Sequence, residues 1–452
     1  MAGPQAVTSG SLKTSRSMIA VGIGLLIGGM AASVPLHQAY ANSASGLAYQ
    51  DLLRDPSDLG KTFAYAEKLV EERNFESAAA VLERLAIRYP QQPEIRLELG
   101  VMYYRLNSPQ MAKDQFQRVL AMAGADQEVK RKAEEFLLHA DPLTKKSRFS
   151  GNISFGMRYQ SNATGGASKS DFSINGLDIH AVKKDDDVNG VVGFNVNHVY
   201  DFDSQWGAAL ESSLAGRGGF YVDNTDLNEI DLRGRTGLGF TLPGFATGQV
   251  RLQPHVTLDL ATRDAELLEL GGGPGVEASY KPLNQWKLTL GYDAMFRDYE
   301  HVGAIGDTQL LSGTDQTVGL NSTWEIVPRT YLINDIGGHF FNARRNFLDY
   351  ESVSAGIALL QGYNSPFAFL PYDWWIRIGG GYEHRWFDSG DPSVDANKAR
   401  RDNVWHASLS NVIPITEAWR ITQQFDYERV QSNLATADYD NYAASLLATW
   451  QF

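Results

Sequence analysis

Beyond Arg148 apolar and polar residues alternate with a period of two, and the alternation holds to the last residue. In Arg251–Leu260 the apolar set is Leu252, Pro254, Val256, Leu258 and Leu260, interleaved with Arg251, Gln253, His255, Thr257 and Asp259. Trp286, Leu288, Leu290, Tyr292, Ala294 and Phe296 repeat the pattern against Lys287, Thr289, Asp293 and Arg297. Trp374, Ile376, Ile378, Tyr382 and Trp386 do so against Arg377, Glu383 and Arg385. Side chains of a strand point alternately to opposite faces, so each segment carries one apolar and one polar face. The runs exceed the roughly 5–6 residues usual in soluble sheets. They satisfy the ~9–11 residues that cross a bilayer with one face to lipid and one to a polar lumen. Short connections (Ser204-Gln205, Pro243-Gly244, Pro282-Leu283-Asn284, Pro328-Arg329, Thr416-Glu417) alternate with longer ones (Ser161–Asp187, Arg217–Thr225, His301–Ser312, Ser389–Arg401). Short periplasmic turns and long outer loops characterise outer-membrane barrels, and this spacing predicts a transmembrane antiparallel β-barrel of about 14 strands over 149–452.

The last strand places Tyr442, Ala444, Leu446, Ala448, Trp450 and Phe452 on one face and ends the chain on an aromatic ring. This pattern resembles the signal read by the barrel-assembly machinery. Tyr442, Trp450 and Phe452 are therefore candidate assembly residues, with that machinery and outer-membrane lipid as partners.

Before the barrel the period changes. From about Leu47 to Ala140 the chain is rich in Ala, Leu, Glu and Arg, poor in Gly, and helical in pattern. Internal comparison gives a repeat of 34 residues: Ala66 aligns with Gly100, Leu69 with Tyr103, Ala78 with Ala112, Leu82 with Phe116 and Pro90 with Gly124. Small residues suit the close approach of two helices, and larger ones fill between them. Period and positions resemble tetratricopeptide repeats, most clearly in Leu99-Gly100-x-x-Tyr103 and Ala112-x-x-x-Phe116. A third helix, Gln127–His139, reads as a cap on the stack. The pattern stops at Asp141-Pro142, and 143–148 reads as a basic linker.

The first 41 residues read as a targeting segment. Lys13 and Arg16 precede an apolar run from Met18 to Val34, Pro35 breaks it, and Ala39-Tyr40-Ala41 fits a cleavage site. The domain reading is thus 1–41 signal peptide, 42–142 tetratricopeptide-like periplasmic domain, 143–148 linker and 149–452 barrel.

Composition narrows the chemistry. There is no cysteine, which excludes disulfides, thiolate metal sites and thiol nucleophiles. Gly 43, Tyr 20, Phe 21 and Trp 9 suit strands, turns and interfacial rings. A net charge of −13 argues against a nucleic-acid partner. No G-x-S-x-G elbow, H-E-x-x-H helix or P-loop occurs, so no catalytic residue, cofactor or metal is assigned and the chain is not read as an enzyme. His255, His339 and His384 fall in strands, where they read as lumen or rim residues. Asp185-Asp186-Asp187 suits calcium by charge but reads as a solvated loop. Glu229, Asp231, Arg233 and Arg235 lie on one strand face and read as part of a cross-strand salt-bridge ladder in the lumen.

Helical repeats followed by a barrel resemble the surface lipoprotein assembly modifier family. Gly151-x-Ile153-x-Phe155-Gly156-x-x-Tyr159-x-Ser161-Asn162 is similar to the family's first strand. Tyr427-x-Arg429-x-x-Ser432-Asn433, followed by Tyr439-Asp440-x-Tyr442, is similar to its last hairpin. The resemblance implies an outer-membrane protein that translocates or displays client proteins, lipidated or otherwise secreted; Glu98, Met102 and Arg105, which flank the packing positions Leu99, Gly100 and Tyr103 on the second repeat, read as its client-contact face or as an ordinary solvated face. A polysaccharide-export porin, or a passive porin whose repeats recruit partners, is the alternative; an exporter's solenoid is normally much longer.

Overall fold

The computed structural model describes residues 44–452 apart from 56–57, 73, 107, 169–170, 175–176, 181, 243–249 and 304–307. Residues 1–41, read above as a targeting segment, and the Pro243-Gly244 turn lie outside the described residues. Two compact units divide at Asp141/Pro142.

Among the described residues the first unit holds six helices: α1 Ala44–Arg54, α2 Leu59–Glu71, α3 Phe75–Arg88, α4 Pro93–Arg105, α5 Pro109–Ala121 and α6 Gln127–Leu143. Helices α2 and α4 start 34 residues apart, as do α3 and α5. Their ends follow ordinary capping chemistry. Asp58 accepts the Lys61 amide and Asn74 the Ser77 amide, while Pro93 and Pro109 occupy first-turn positions where no intrahelical donor is missed. Helix α1 was not distinguished in the sequence; its Ser45 amide bonds Glu72 at the end of α2 at 2.9 Å. The aligned positions form the core. Leu69, Ala78 and Ala112 are buried, Phe116 is fully enclosed, and a Cβ on Gly100 would lie 2.5 Å from the Phe116 ring. That glycine is where α4 and α5 touch. Phe116 also stacks on Phe136 of α6, centroids 5.6 Å apart. Tyr103 donates to Glu83 across α3 and α4 at 2.6 Å; burial and that carboxylate push its hydroxyl pKa well above the ordinary tyrosine value. Helix α6 continues past Asp141 to Leu143, and β1 starts at Ser147, whose residue pairs with Tyr200. The connection is therefore 144–146, shorter than the 143–148 linker read from composition, because backbone pairing recruits Ser147 and Arg148 and the last helical turn runs through the proline.

The second unit contains β1 Ser147–Gln160, β2 Asp171–Ile174, β3 Leu177–His180, β4 Asp187–Asp201, β5 Ala209–Tyr221, β6 Glu229–Leu242, β7 Val250–Arg263 and β8 Glu266–Leu283. It continues with β9 Trp286–Tyr299, β10 Gly313–Val327, β11 Thr330–Ala343, β12 Tyr350–Tyr363, β13 Trp374–Gly390, β14 Ala399–Pro414, β15 Trp419–Ser432 and β16 Tyr439–Gln451. Strands β1 and β4–β16 form a closed antiparallel barrel of 14 strands, and β2–β3 is a hairpin within the first long connection. An even strand count brings the start of β1 and the end of β16 to one end of the barrel, here called the terminal end; the other is the loop end.

The alternation places side chains as the pattern demands. On β7, Val256 and Leu258 face outward while His255, Thr257 and Asp259 are buried on the lumen side. Leu290, Tyr292 and Phe296 of β9 face outward, as do Ile378 of β13 and Tyr442 and Leu446 of β16. An exterior of exposed apolar side chains is stable only against lipid. Two aromatic girdles bound it. Trp286, Trp324, Trp374, Trp419, Trp450 and Phe452 ring the terminal end, and Tyr159, Phe220, Phe296, Trp405 and Tyr442 the loop end.

The connections depart from a strict short–long rhythm. Strand β5 runs to Tyr221 and β13 to Gly390, so the loops read as Arg217–Thr225 and Ser389–Arg401 shrink to 222–228 and 391–398. At the loop end β7 and β8 join through Asp264-Ala265, both with positive φ (48° and 62°), a tight hairpin turn whose twist matches the strands. At the terminal end β12 and β13 join through ten residues, 364–373.

Candidate functional site

Charged residues line the lumen toward the loop end, and the strand register dictates how they pair. Arg217 of β5 lies opposite Asp231 of β6 and donates to it at 2.6 Å. Arg233 lies opposite Asp259 of β7 and makes two bonds to it, both 2.7 Å. Arg263 reaches Glu229 at 3.2 Å, and Arg235 reaches Glu277 at 3.3 Å. Glu229, Asp231, Arg233 and Arg235 thus all belong to an inward ladder.

The ladder also skips strands, and glycine makes this possible. Gly271 of β8 stands between Asp259 of β7 and Arg297 of β9 in register, and it leaves room for Arg297 to approach Asp259 at 3.5 Å. Arg297 pairs as well with Glu269 and, at 2.7 Å, with Asp315 of β10. It is the hub of the network, with a side chain only 15% exposed. Gly275 stands likewise between His255 and Asp293; a Cβ there would lie 2.3 Å from His255 Nε2, and the imidazole and carboxylate meet over it at 2.7 Å. Gly239 performs the same service for Glu211 and Arg251. The inward glycines of the Gly271-Gly272-Gly273-Pro274-Gly275 run were the available sequence signal for these contacts, since an inward strand position without a side chain lets its two neighbours touch. Arg217, Asp231, Arg233, Asp259, Glu269 and Arg297 line a cavity of about 370 Å³ against this wall.

His339 is also a lumen residue, whereas His384 lies on the outward-facing parity of β13 near the loop end. His339 meets Asp315 at 2.6 Å and accepts from Tyr350 at 3.1 Å, and His384 contacts Asn403 at 3.0 Å. On the outer face at the terminal end, Ser147 Oγ lies 2.9 Å from His198 Nε2, and that imidazole stacks on Phe149.

The closing seam is the second feature. Strands β1 and β16 pair from Asn152↔Gln451 to Gln160↔Ala443, and Gly151 and Phe452 exchange backbone hydrogen bonds of 2.9 and 3.0 Å. The Phe452 ring packs on Trp450, centroids 5.0 Å apart, and lies where a Cβ on Gly151 would be (2.8 Å). Trp450 stands opposite Trp419, and Tyr442 opposite Tyr427. All three terminal aromatics face outward beside the seam. At the loop end the first long connection crosses onto the β16 side. Buried Asn162 bridges Gly166 through both side-chain atoms and takes the Asn441 side-chain oxygen on its amide at 3.1 Å. Lys184 pairs with Asp440 at 2.6 Å, and the Ser168 amide bonds the Asp438 carbonyl. Within Asp185-Asp186-Asp187, Asp187 is committed to the next loop, accepting the amides of Asp223 and Asn224 and the Asn224 side chain. Among the described residues no group of three or more histidine or acidic side chains could hold a metal ion.

The residues proposed for client contact divide. Glu98 and Arg105 are exposed, with Arg105 lying over the Phe75 ring at 5.3 Å. Met102 is 1% exposed and part of the helical core. Its assignment to the contact face is corrected: at 34-residue spacing α4 packs on both α3 and α5, so an unbranched apolar side chain on its flank is enclosed rather than displayed.

The family model described as surface lipoprotein assembly modifier matches residues 149–452. No curated protein matches the chain. Solved structures similar to it are outer-membrane proteins. The TodX monoaromatic hydrocarbon channel, as its deltaS2 mutant, is 12% identical, with 69% of this chain and 91% of that one covered and a TM-score of 0.37. The outer membrane channel DcaP of Acinetobacter baumannii is 8% identical over 68% and 97%, with a TM-score of 0.37. The anion-selective porin from Comamonas acidovorans is 9% identical over 68% and 99%, with a TM-score of 0.34. With the family match extending over every barrel strand, the chain is an outer-membrane β-barrel that belongs to the surface lipoprotein assembly modifier family.

Proposed function

We propose that this protein helps lipidated or otherwise secreted client proteins reach and stay on the cell surface, without a catalytic step of its own. The observation that carries the reading is the family match from residue 149 to residue 452, the whole barrel. In this reading residues 1–41 are removed on export, and the six helices work in the periplasm as a tetratricopeptide-like surface. Glu98 and Arg105 remain as its candidate contacts. Only residues 144–146 separate the last helix from the first strand. A client bound by the helices is tethered to the barrel's own chain, which raises its effective concentration for the barrel. The inward polar groups named above are engaged with one another, which suits a lumen built as a wall better than one built to react. Energy for transfer then comes from client folding or binding outside, or from other machinery.

The test is surface shaving of intact cells with and without the protein. Loss of one or a few lipidated or secreted proteins from the surface, at normal total levels and restored by complementation, supports the proposal. An unchanged surface proteome contradicts it, and loss of an exopolysaccharide instead transfers the role to polysaccharide export.

A further inference from the structure

The connection 364–373 is the longest described at its end of the barrel. The turns 284–285, 328–329 and 415–418 there are short, and 202–208 has seven residues and exposes Phe202 and Trp206. Residues 364–373 read Asn364-Ser-Pro-Phe-Ala-Phe-Leu-Pro-Tyr-Asp373. Its single charge is neutralised: Asp373 pairs with Arg329 at 2.7 Å, and the same guanidinium donates to Asn364 at 3.0 Å, tying the two ends of the loop together. Local bonds shape the tip. Ser365 Oγ accepts the Phe367 amide and donates to the Phe367 carbonyl, which also takes the Leu370 amide. What the tip displays is apolar. Phe367 is 47% and Phe369 77% exposed, with their rings stacked at 5.4 Å.

The direction of these rings follows from their support. Phe367 packs on Trp374, centroids 5.7 Å apart, and Trp374 packs on Tyr363. On β13 the even positions face outward, as exposed Ile378 does, and on β12 the odd ones do, as exposed Ile357 and Leu359 do. Trp374 and Tyr363 are therefore girdle residues on the lipid side, and the stacked phenylalanines extend that girdle beyond the strand ends.

We propose that residues 364–373 are a membrane anchor that inserts Phe367 and Phe369 into the headgroup–acyl boundary of the leaflet at the terminal end. Continuity with the lipid-facing band names the occupant, because an uncharged phenylalanine tip packed on an interfacial tryptophan gains by burying its rings on the apolar side of the headgroup–acyl boundary.

The chain has no cysteine, so a single introduced thiol carries a spin label at a unique site. Full-length Phe369→Cys and Ala368→Cys proteins, the second keeping both rings, are labelled and reconstituted into phosphatidylcholine/phosphatidylglycerol vesicles. Glu417→Cys on a polar turn at the same end serves as the aqueous reference. At 369, and at 368 should the first variant fold poorly, collisions with oxygen are expected to exceed those with a water-soluble nickel chelate severalfold, with the reverse at 417. Nickel access at 368 and 369 equal to that at 417 overturns the proposal. So does low access to both reagents, which would mean that the helices or another protein cover the loop.

Discussion

Replacing Arg297 with methionine tests the lumen network at its hub. The substitution keeps most of the volume of the stem and removes the guanidinium that Asp259, Glu269 and Asp315 share. All three carboxylates retain a hydrogen-bond partner, Asp259 through its two bonds from Arg233, Asp315 through His339 and Glu269 through the Tyr299 hydroxyl, but only the first two keep a cationic or imidazole neighbour. Glu269, 7% exposed, loses the cation it depends on. Breaking a buried pair from one side costs roughly 3–5 kcal/mol. With one carboxylate left without a cation but still accepting from Tyr299, the expected loss is at the low end, about 3 kcal/mol. Arg217→Met is the internal control: its side chain is 69% exposed, and an exposed pair is worth about 1 kcal/mol or less. Urea unfolding of the reconstituted barrel, followed by tryptophan emission and by heat-modifiable mobility, reads both. At slopes of about 1–3 kcal/mol/M the Arg297→Met midpoint falls by about 1–3 M, and Arg217→Met moves it far less. Adding Glu269→Gln to Arg297→Met removes the unneutralised charge and should recover part of the loss. Equal midpoints for the two arginine variants would refute the hub.

Gly275→Ala places a methyl between His255 and Asp293 and should cost about 1–3 kcal/mol by parting a pair whose imidazole is 1% exposed; Gly291→Ala, with nothing within 4 Å of its Cβ, is the neutral comparison in the same urea assay. Deleting Phe452 removes two seam hydrogen bonds and the last girdle ring, and should lower the fraction of heat-modifiable barrel in membranes; an unchanged folded yield speaks against an assembly role for this terminus. Phe116→Ala empties the contact between α4, α5 and α6 and should cost about 3–5 kcal/mol. It is read as faster proteolysis of residues 44–141 in the full-length protein, with the barrel's heat-modifiable shift unchanged.

Periodicity made most of the architecture legible. Period-two alternation identified the barrel and its outward residues because one strand face meets lipid along its whole length. The 34-residue spacing of Leu69/Tyr103 and Leu82/Phe116 aligned helices that start 34 residues apart, because the same close packing recurs in each pair. Pairwise geometry was less legible. The charges of β6 were readable as a ladder, but their partners depend on register, and the Arg297 and His255 contacts bridge two strands over a glycine. Met102 was misread because flanking a packed stripe does not distinguish an enclosed side chain from a displayed one. Loop lengths at Asp264-Ala265 and 364–373 went unrecognised: the first lacks a glycine for its positive φ, and the second carries apolar residues that look like strand.

The most direct test of the functional account removes residues 47–140 and leaves the targeting segment and the barrel in place. Folded barrel is first confirmed in the outer membrane by its heat-modifiable shift, and whole cells are then shaved and their surface proteins compared with those of cells carrying the full chain. The account predicts that one or two specific surface proteins disappear from the shaved fraction while their total cellular levels hold. Normal display of every surface protein by a folded barrel that lacks its helices would contradict it.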